Sequence, residues 1–185
     1  MLIDISSTEI KTDRLLLRYW RAADLDDLFA FASVPGVEEM SGMPHHKSLE
    51  DSKKFLDASM NSKSCFAIYH LADKKVVGYL EMHGSWAGVD ESFSHLNIVQ
   101  IGFVLDKQYW GQGLAAEAAL AVIKHSFSVW GFDAVSACHF VENTQSRRVL
   151  EKCGFVLKGG GKFYSPFLDK EFNEQRYILL KESCP

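Results

Sequence analysis

Residues 101–118 read IGFVLDKQYWGQGLAAEA and pass through three kinds of chain. Ile101, Phe103, Val104 and Leu105 make an apolar, strand-like run. Gln108 to Gly113 make a short loop carrying Gly111 and Gly113. From Leu114 onward, Ala115, Ala116, Glu117, Ala118, Ala119 and Leu120 are nearly all strong helix formers. A strand passing into a helix through a glycine turn commits the chain to a layered α/β arrangement. It also leaves the first N–H groups of the helix unpaired at the positive end of its dipole, a ready site for a phosphate or pyrophosphate.

Three phosphate-binding readings compete for this loop. A Walker loop needs Lys and Ser/Thr after its second glycine, and Leu114 and Ala115 stand there instead. The run from Gly111 to Ala116 fits the relaxed dinucleotide pattern G-x-G-x-x-A, but Asp106 to Trp110 separate it from its strand. The acidic residue expected about 20 residues further on is also missing, since Glu142, the nearest candidate, stands 31 residues after Gly111. In the third reading, Gln108-x-x-Gly111-x-Gly113 resembles the Q/R-x-x-G-x-G/A motif of the GCN5-related N-acetyltransferases, which bind acetyl-coenzyme A. Residues 12–18 (TDRLLLR) resemble that superfamily's first strand. Asn143-Thr-Gln-Ser146 followed by Leu150-Glu151-Lys152-Cys153-Gly154-Phe155 resembles its second cofactor-binding segment. The branch with the nearest resemblance contains the ribosomal-protein N-terminal acetyltransferases, and the likeness spans about residues 10–181.

Bulk properties exclude several other classes. A length of 185 residues predicts one domain over residues 1–185, and 47% hydrophobic with 24% charged residues suits a chain with a substantial core. The net charge of -4 gives none of the basic excess of a nucleic-acid binder. No apolar stretch approaches the length of a membrane span, and the start MLIDISSTEI lacks the basic and apolar regions of a signal peptide, so a cytoplasmic protein is expected. Cys65, Cys138, Cys153 and Cys184 form no C-x-x-C pair and are expected as free thiols. The histidines form no His-x-x-x-His pair, and no metal is expected.

Read in order, the chain gives β-α-α-β-β-β-α-β-α-β-β. Leu15 to Leu17 form a strand. Asp24 is expected to cap a helix that Pro35-Gly36 ends, and Ser48-x-x-Asp51 reads as a capping box for a second helix. Residues 65–71 and 76–83 make a hairpin, and residues 96–105 make the central strand. A helix over residues 114–130 follows, then a strand over 134–141, a helix over 144–153, and two closing strands over 162–165 and 172–180. This is a mixed α/β fold with a mostly antiparallel sheet. Its one β-α-β crossover makes the central strand parallel to the strand over 134–141. The resemblance implies the same element order, with helices on both faces.

The resemblance also implies site roles. The loop of Gln108, Gly111, Gln112, Gly113, Leu114 and Ala115 would cradle the pyrophosphate, with Tyr109 and Trp110 as packing residues. The backbone of Phe103, Val104 and Leu105 would bulge, splay from the next strand, receive the pantetheine arm and aim an N–H at the thioester carbonyl. Asn143 would hydrogen-bond pantetheine, and Ser146 would protonate the departing thiolate. On their residue types alone, both read equally as helix-capping positions. The Glu that some relatives carry on the central strand is replaced here by Asn97. Glu81, on a strand face with Val77, Tyr79 and His83, is the leading candidate base, followed by His83 and Glu39, while Glu117 reads as a favourable first-turn charge. Residues 37–47 and 84–95 are expected to frame an acceptor pocket with Met40, Met43, Trp86 and Phe93. The implied activity is acetyl transfer from acetyl-CoA to a primary amine, a peptide N-terminus or a small molecule, by a monomer or homodimer. A non-catalytic acyl-CoA sensor on the same fold is the alternative.

Overall fold

Strands form where apolar residues alternate and are bounded by turn residues, and helices form where capping residues precede apolar residues at helical spacing. A computed structural model describes residues 3–185, so of the domain expected over 1–185 the first two residues lie outside the described chain. The elements are β1 (Ile10–Lys11), β2 (Leu15–Tyr19), α1 (Leu25–Ala32), α2 (Leu49–Ser62), β3 (Cys65–His70), β4 (Lys75–Gly84), β5 (Ile98–Leu105), α3 (Leu114–Ser128), β6 (Ala134–Phe140), α4 (Thr144–Lys152), β7 (Val156–Ser165) and β8 (Lys170–Leu180). One eight-stranded sheet runs in the order β1-β2-β3-β4-β5-β6-β8-β7. Its one parallel pair is β5 with β6, as the crossover through α3 requires.

Helices cover both faces. On one face α3 and α4 place Leu114, Ala118, Ala119, Val122, Leu150 and Cys153 against Leu80, Ile101 and Val135 of the sheet. The small Ala118 and Ala119 are fully buried and let α3 lie close to the strands. On the other face α1 and α2 pack Leu28, Phe31 and Leu56 against Ala67, Tyr79 and Val104. A smaller cluster on β6 and β8, Ala134 and Ile178, is covered by Ala87, Trp86 and Phe93 from the connection between β4 and β5. That connection, expected as loop, contains two short 3-10 turns, Trp86–Val89 and Glu91–Phe93.

Several local assignments differ from the sequence reading for physical reasons. The capping box at Ser48 and Asp51 forms as expected. Asp24 stands at the start of α1 but donates no side-chain cap, because its buried carboxylate is taken by the Arg18 guanidinium at 2.8 Å to each oxygen and by the Arg21 N–H. The glycines at 159–161, read as a lead-in, lie within β7. In β4, Val77 packs in the α3-side core while Tyr79 packs in the α1-side core. A register irregularity against β3, between Ile68 and Tyr69, breaks the alternation there. Tyr79 therefore does not share a face with Val77. Gly78 permits this bend, since a Cβ there would lie 2.3 Å from the Val104 carbonyl oxygen. Among the described residues no helix is long and apolar enough to cross a membrane.

Candidate active site

The site grows out of the β5–β6 pair. The two strands are paired only at Ile98↔Ala134, Val99↔Val135 and Gln100↔Ser136. Beyond that point β5 continues to Leu105 and β6 to Phe140 without pairing to each other, so the strands part and a gap opens. On its other side β5 stays in unbroken register with β4 from Gly84↔Val99 to Gly78↔Leu105. The expected splay is present, and the irregularity expected in β5 lies instead in β4 against β3. The Asp106 N–H bonds the Val77 carbonyl on the β4 side. Alternation then directs the N–H groups of Gly102 and Val104 towards β4, and those of Phe103 and Leu105 into the gap. The Leu105 carbonyl, which also faces the gap, accepts a hydrogen bond from the Trp110 indole at 2.7 Å.

A cavity of about 270 Å³ lies at the open end of this gap. Phe103, Val104 and Leu105 line it from β5, Gly111, Gly113, Leu114 and Ala115 from the loop and α3, and Asn143 and Ser146 from α4. Nine of the residues singled out in the sequence are thus brought together. Gln108 and Gln112 lie beside the cavity, where the Gln112 side chain donates to the Gln108 carbonyl at 3.0 Å and braces the loop. Tyr109 and Trp110 both pack and line the cavity: the Tyr109 hydroxyl donates to Asp73, and its ring is buried in the core.

Gly111 and Gly113 have φ of 78° and 80°, left-handed values that other residues rarely adopt. Gly113 is the N-cap of α3 and supplies no side-chain cap, while the first helical bond runs from the Glu117 N–H to the Gly113 carbonyl. The N–H groups at the very start of α3 therefore point free beside the cavity. Arg14 and Glu117 hold this turn in place. Arg14 donates to the Gln112 carbonyl at 3.0 Å and to Glu117 at 2.7 Å, and Glu117 also accepts from the Thr12 hydroxyl at 2.6 Å. Burial opposes ionisation of Glu117, but the bonds from Thr12 and Arg14 outweigh it and hold the carboxyl below its ordinary range. Glu117, read from sequence as a first-turn charge, thus clamps the β1–β2 turn to α3.

Asn143 is the N-cap of α4, and its Oδ1 accepts from the Ser146 N–H at 3.0 Å. The capping reading therefore describes the geometry of both residues, and their presence in the cavity wall is compatible with it. Arg148 and Lys152, one turn apart on α4, also line the cavity. Sequence reading missed them, although their i, i+4 spacing after Asn143 was the available signal. Met40 of the 37–47 segment also lines the cavity, while Trp86 and Phe93, expected with it at an acceptor pocket, pack on Ala134 and Ile178 instead.

Glu81 is not part of the cavity wall. It pairs across the sheet with Gly102, and a Cβ on Gly102 would lie 3.3 Å from Glu81 Oε1 and 3.8 Å from His83 Nε2. Both side chains therefore lie over the glycine just past the point where β5 and β6 part. Glu39 is engaged elsewhere: it pairs with His45 at 2.7 Å and accepts from the Gly36 N–H. Its neighbour Glu38, not singled out from sequence, is the more unusual group. It is 1% exposed, accepts from the Tyr79 hydroxyl at 2.8 Å on Oε2, and has no hydrogen-bond partner on Oε1. Burial pushes its pKa up to about 7, against the Tyr79 hydrogen bond, and the nearby Glu81 and Glu39 charges push the same way as burial.

Comparison with known proteins agrees with this geometry. The acetyltransferase (GNAT) domain model matches residues 14–156. The uncharacterised N-acetyltransferase YoaA of Bacillus subtilis (strain 168) is 26% identical over 177 residues, covering 93% of this chain and 96% of that protein. An acetyltransferase (GNAT family) from Bacillus anthracis superposes with a TM-score of 0.80 at 26% identity, covering 95% of this chain and 99% of that one. Spermidine N-acetyltransferase from Vibrio cholerae, solved with CoA and spermine, shares the fold with a TM-score of 0.71 at 16% identity, covering 93% and 98% of the two chains. Since the family match runs unbroken from Arg14, through the glycine loop, to the start of β7, this chain belongs to the GNAT family of acetyl-CoA-dependent acetyltransferases.

Proposed function

We propose that this chain transfers the acetyl group of acetyl-CoA to a primary amine, a peptide N-terminus or a small molecule, by direct attack of the amine on the thioester. The observation that carries the reading is the gap between β5 and β6, open at one end onto the free N–H groups of α3. A thioester-bearing arm can lie in that gap as an added strand, while its pyrophosphate meets the helix N-terminus. The residues present fit the cosubstrate: the glycine turn offers backbone donors without side-chain bulk, and the unpaired β5 edge offers further donors to an extended amide chain.

Acetyl-CoA, when bound, supplies the activated acyl group. Around it, Gly111, Gly113, Leu114 and Ala115 bind the pyrophosphate, with Gln108 and Gln112 bracing the loop. Arg148 and Lys152 offer cations to a further phosphate. Asn143 bonds the pantetheine arm through the amide group its cap bond leaves free. The N–H of Phe103 or Leu105 stabilises negative charge developing on the carbonyl oxygen, as an oxyanion hole does. Ser146 gives a proton to the departing sulfur, and Glu81 takes one from the acceptor nitrogen. An ammonium with a pKa of about 8 at a peptide terminus, or about 10.4 on an alkyl chain, needs such a base to become nucleophilic at neutral pH. The open face beside Glu81 and Met40 suits acceptors of either kind, including the protein N-termini used by the ribosomal-protein branch.

The test is release of free thiol from acetyl-CoA over a panel of amines, comprising peptides with free α-amino groups, polyamines, amino acids and aminoglycosides. Acceptor-dependent thiol release with a matching acetylated product supports the reading. Tight acetyl-CoA binding with no acetylation of any amine would instead favour the acyl-CoA sensor.

A further inference from the structure

Glu38 sits in a short 3-10 turn, Glu38–Ser41, which crosses the α1-side face of the sheet above β5 and β6. A fully buried carboxylate with one oxygen unpartnered is costly unless something completes it. Among the described residues no group pairs with Oε1. The opposite face of this pocket is set by β4, whose bend at Gly78 aims Tyr79 to the α1 side, and Glu81 acts on Glu38 as a like charge. Glu81 is itself half-buried and lies over Gly102 at the mouth of the gap. One carboxylate is therefore half-exposed over the mouth of the gap, and a second is fully buried under the 3-10 turn with an oxygen to spare.

We propose that Glu38 is a positioning residue for acetyl transfer: with Glu81 it forms a carboxylate pair that takes up one proton from the acceptor ammonium and holds it on Glu38 Oε1. The proposal rests on the acetyl-transfer reading given above. In the step, the N–H bond of the ammonium breaks and an O–H bond forms on Glu81. The proton then settles on the pair's buried member, and the nitrogen lone pair is freed to attack. After transfer the proton returns through Glu81 to solvent, so the pair is unchanged over a turnover. Glu81 follows Tyr79 by two residues on β4, and the Tyr79 hydroxyl reaches Glu38 at 2.8 Å; the like charge of Glu81 on this face raises the affinity of Glu38 for a proton. The Tyr79 hydroxyl works the other way, favouring the charged form of Glu38 and keeping the pair ionised when the acceptor arrives.

The groups that face Glu38 are few. They are Tyr79 and Glu81 from β4, Cys65 from β3 and Glu39 from its own turn. On the same face β5 presents Gly102 and Val104, which do not titrate, and β6 presents Cys138, whose thiol burial pushes up to about 12. His83 lies beside Glu81 over Gly102 and His45 pairs with Glu39, so the limb assigned to the carboxylate pair is the one that is lost in Glu38→Gln.

The experiment compares the pH dependence of kcat/KM for wild type, Glu38→Gln and Tyr79→Phe, with a primary alkylamine and an α-amino peptide as acceptors. Acetyl-CoA affinity is measured in parallel. Glutamine keeps the size of Glu38 and its acceptor for Tyr79, so a purely packing role predicts unchanged kinetics. The proposal predicts a loss of ~100-fold in kcat/KM at pH 7.5 with the alkylamine, in the range of a lost general base, and a smaller loss with the peptide. It also predicts disappearance of the acidic limb near pH 7, with acetyl-CoA affinity unchanged. Tyr79→Phe should move that limb to higher pH. An unchanged acidic limb in Glu38→Gln would overturn the proposal. Infrared difference titration reads the pair without turnover: a carboxylic-acid band that titrates near pH 7, is lost in Glu38→Gln and shifts in Glu81→Gln supports it. No such band would overturn it. If wild type acetylates no amine but shows this band, it is the transfer reading that fails and the proton-holding pair that stands.

Discussion

At the residue scale, the site is a set of ordinary side chains given unusual surroundings. Ser146 has a short hydroxyl in a cavity wall, fixed in the first turn of α4 by the bond between its own N–H and Asn143. If it protonates the leaving sulfur, Ser146→Ala should lower kcat by roughly 10- to 100-fold, the lower part of the range for a lost acid–base group. The Kd for acetyl-CoA should stay within about twofold, because the variant keeps the backbone that Asn143 caps. Stopped-flow turnover beside calorimetry separates the two effects, and an unchanged kcat would leave Ser146 with capping geometry alone. The sequence made Asn143 and Ser146 legible because a helix start and a ligand contact call for the same residue types. Glu38 was not legible. In the string VEEMSG, Glu38 and Glu39 look alike, and only packing against Tyr79 makes one a buried acid and the other a half-exposed partner of His45.

At the element scale, the glycine turn owes its shape to contacts with a distant part of the chain. Arg14 and Glu117 are 103 positions apart in sequence, yet together with Thr12 they clamp the β1–β2 turn onto α3 and the Gln112 carbonyl. Partly exposed ion pairs of this kind are worth up to ~1 kcal/mol. Glu117→Gln should therefore weaken acetyl-CoA binding by about fivefold by loosening the turn, while kcat changes little. Titration calorimetry checks this, and undiminished affinity would mean that the turn holds its shape without the clamp. Strands and helices were mostly legible, because alternation and capping are local. What was not legible depends on pairing. The bend that turns Tyr79 away from the face of Val77 comes from a register irregularity against β3. Asp24 looked like a helix cap until Arg18, on a neighbouring strand, claimed its carboxylate.

At the scale of the whole molecule, the sheet trades pairing for function. Among the described residues eight strands are joined edge to edge, and the only parallel pair is the one that opens. Two layers of helices pack against the sheet on its two faces, on either side of the gap. The same enclosure traps Glu38, and this has a stability consequence. Its folded pKa of about 7 lies above the ordinary glutamate value of about 4.3. The folded state thus binds the proton more tightly than the unfolded chain does. The stabilisation is fully present below about pH 4.3 and is lost as pH rises through about 7. Glu38→Gln, which cannot ionise, should raise Tm at pH 8 by more than it does at pH 5. Thermal unfolding at the two pH values is the check, and an equal shift at both would show that the buried carboxyl does not titrate there. A variant that gains stability while losing turnover would fit a group retained for chemistry rather than packing.

The central claim is that the gap and the glycine turn together hold acetyl-CoA. Calorimetric titration of the purified protein with acetyl-CoA, with NADH as control and Gly113→Asp in parallel, tests it most directly. The account predicts micromolar binding of acetyl-CoA alone, at one site per chain. It predicts loss of that binding in Gly113→Asp, where a side chain and a negative charge would meet the pyrophosphate at a φ of 80°. Failure of the wild-type chain to bind acetyl-CoA, or binding undiminished in Gly113→Asp, would contradict it.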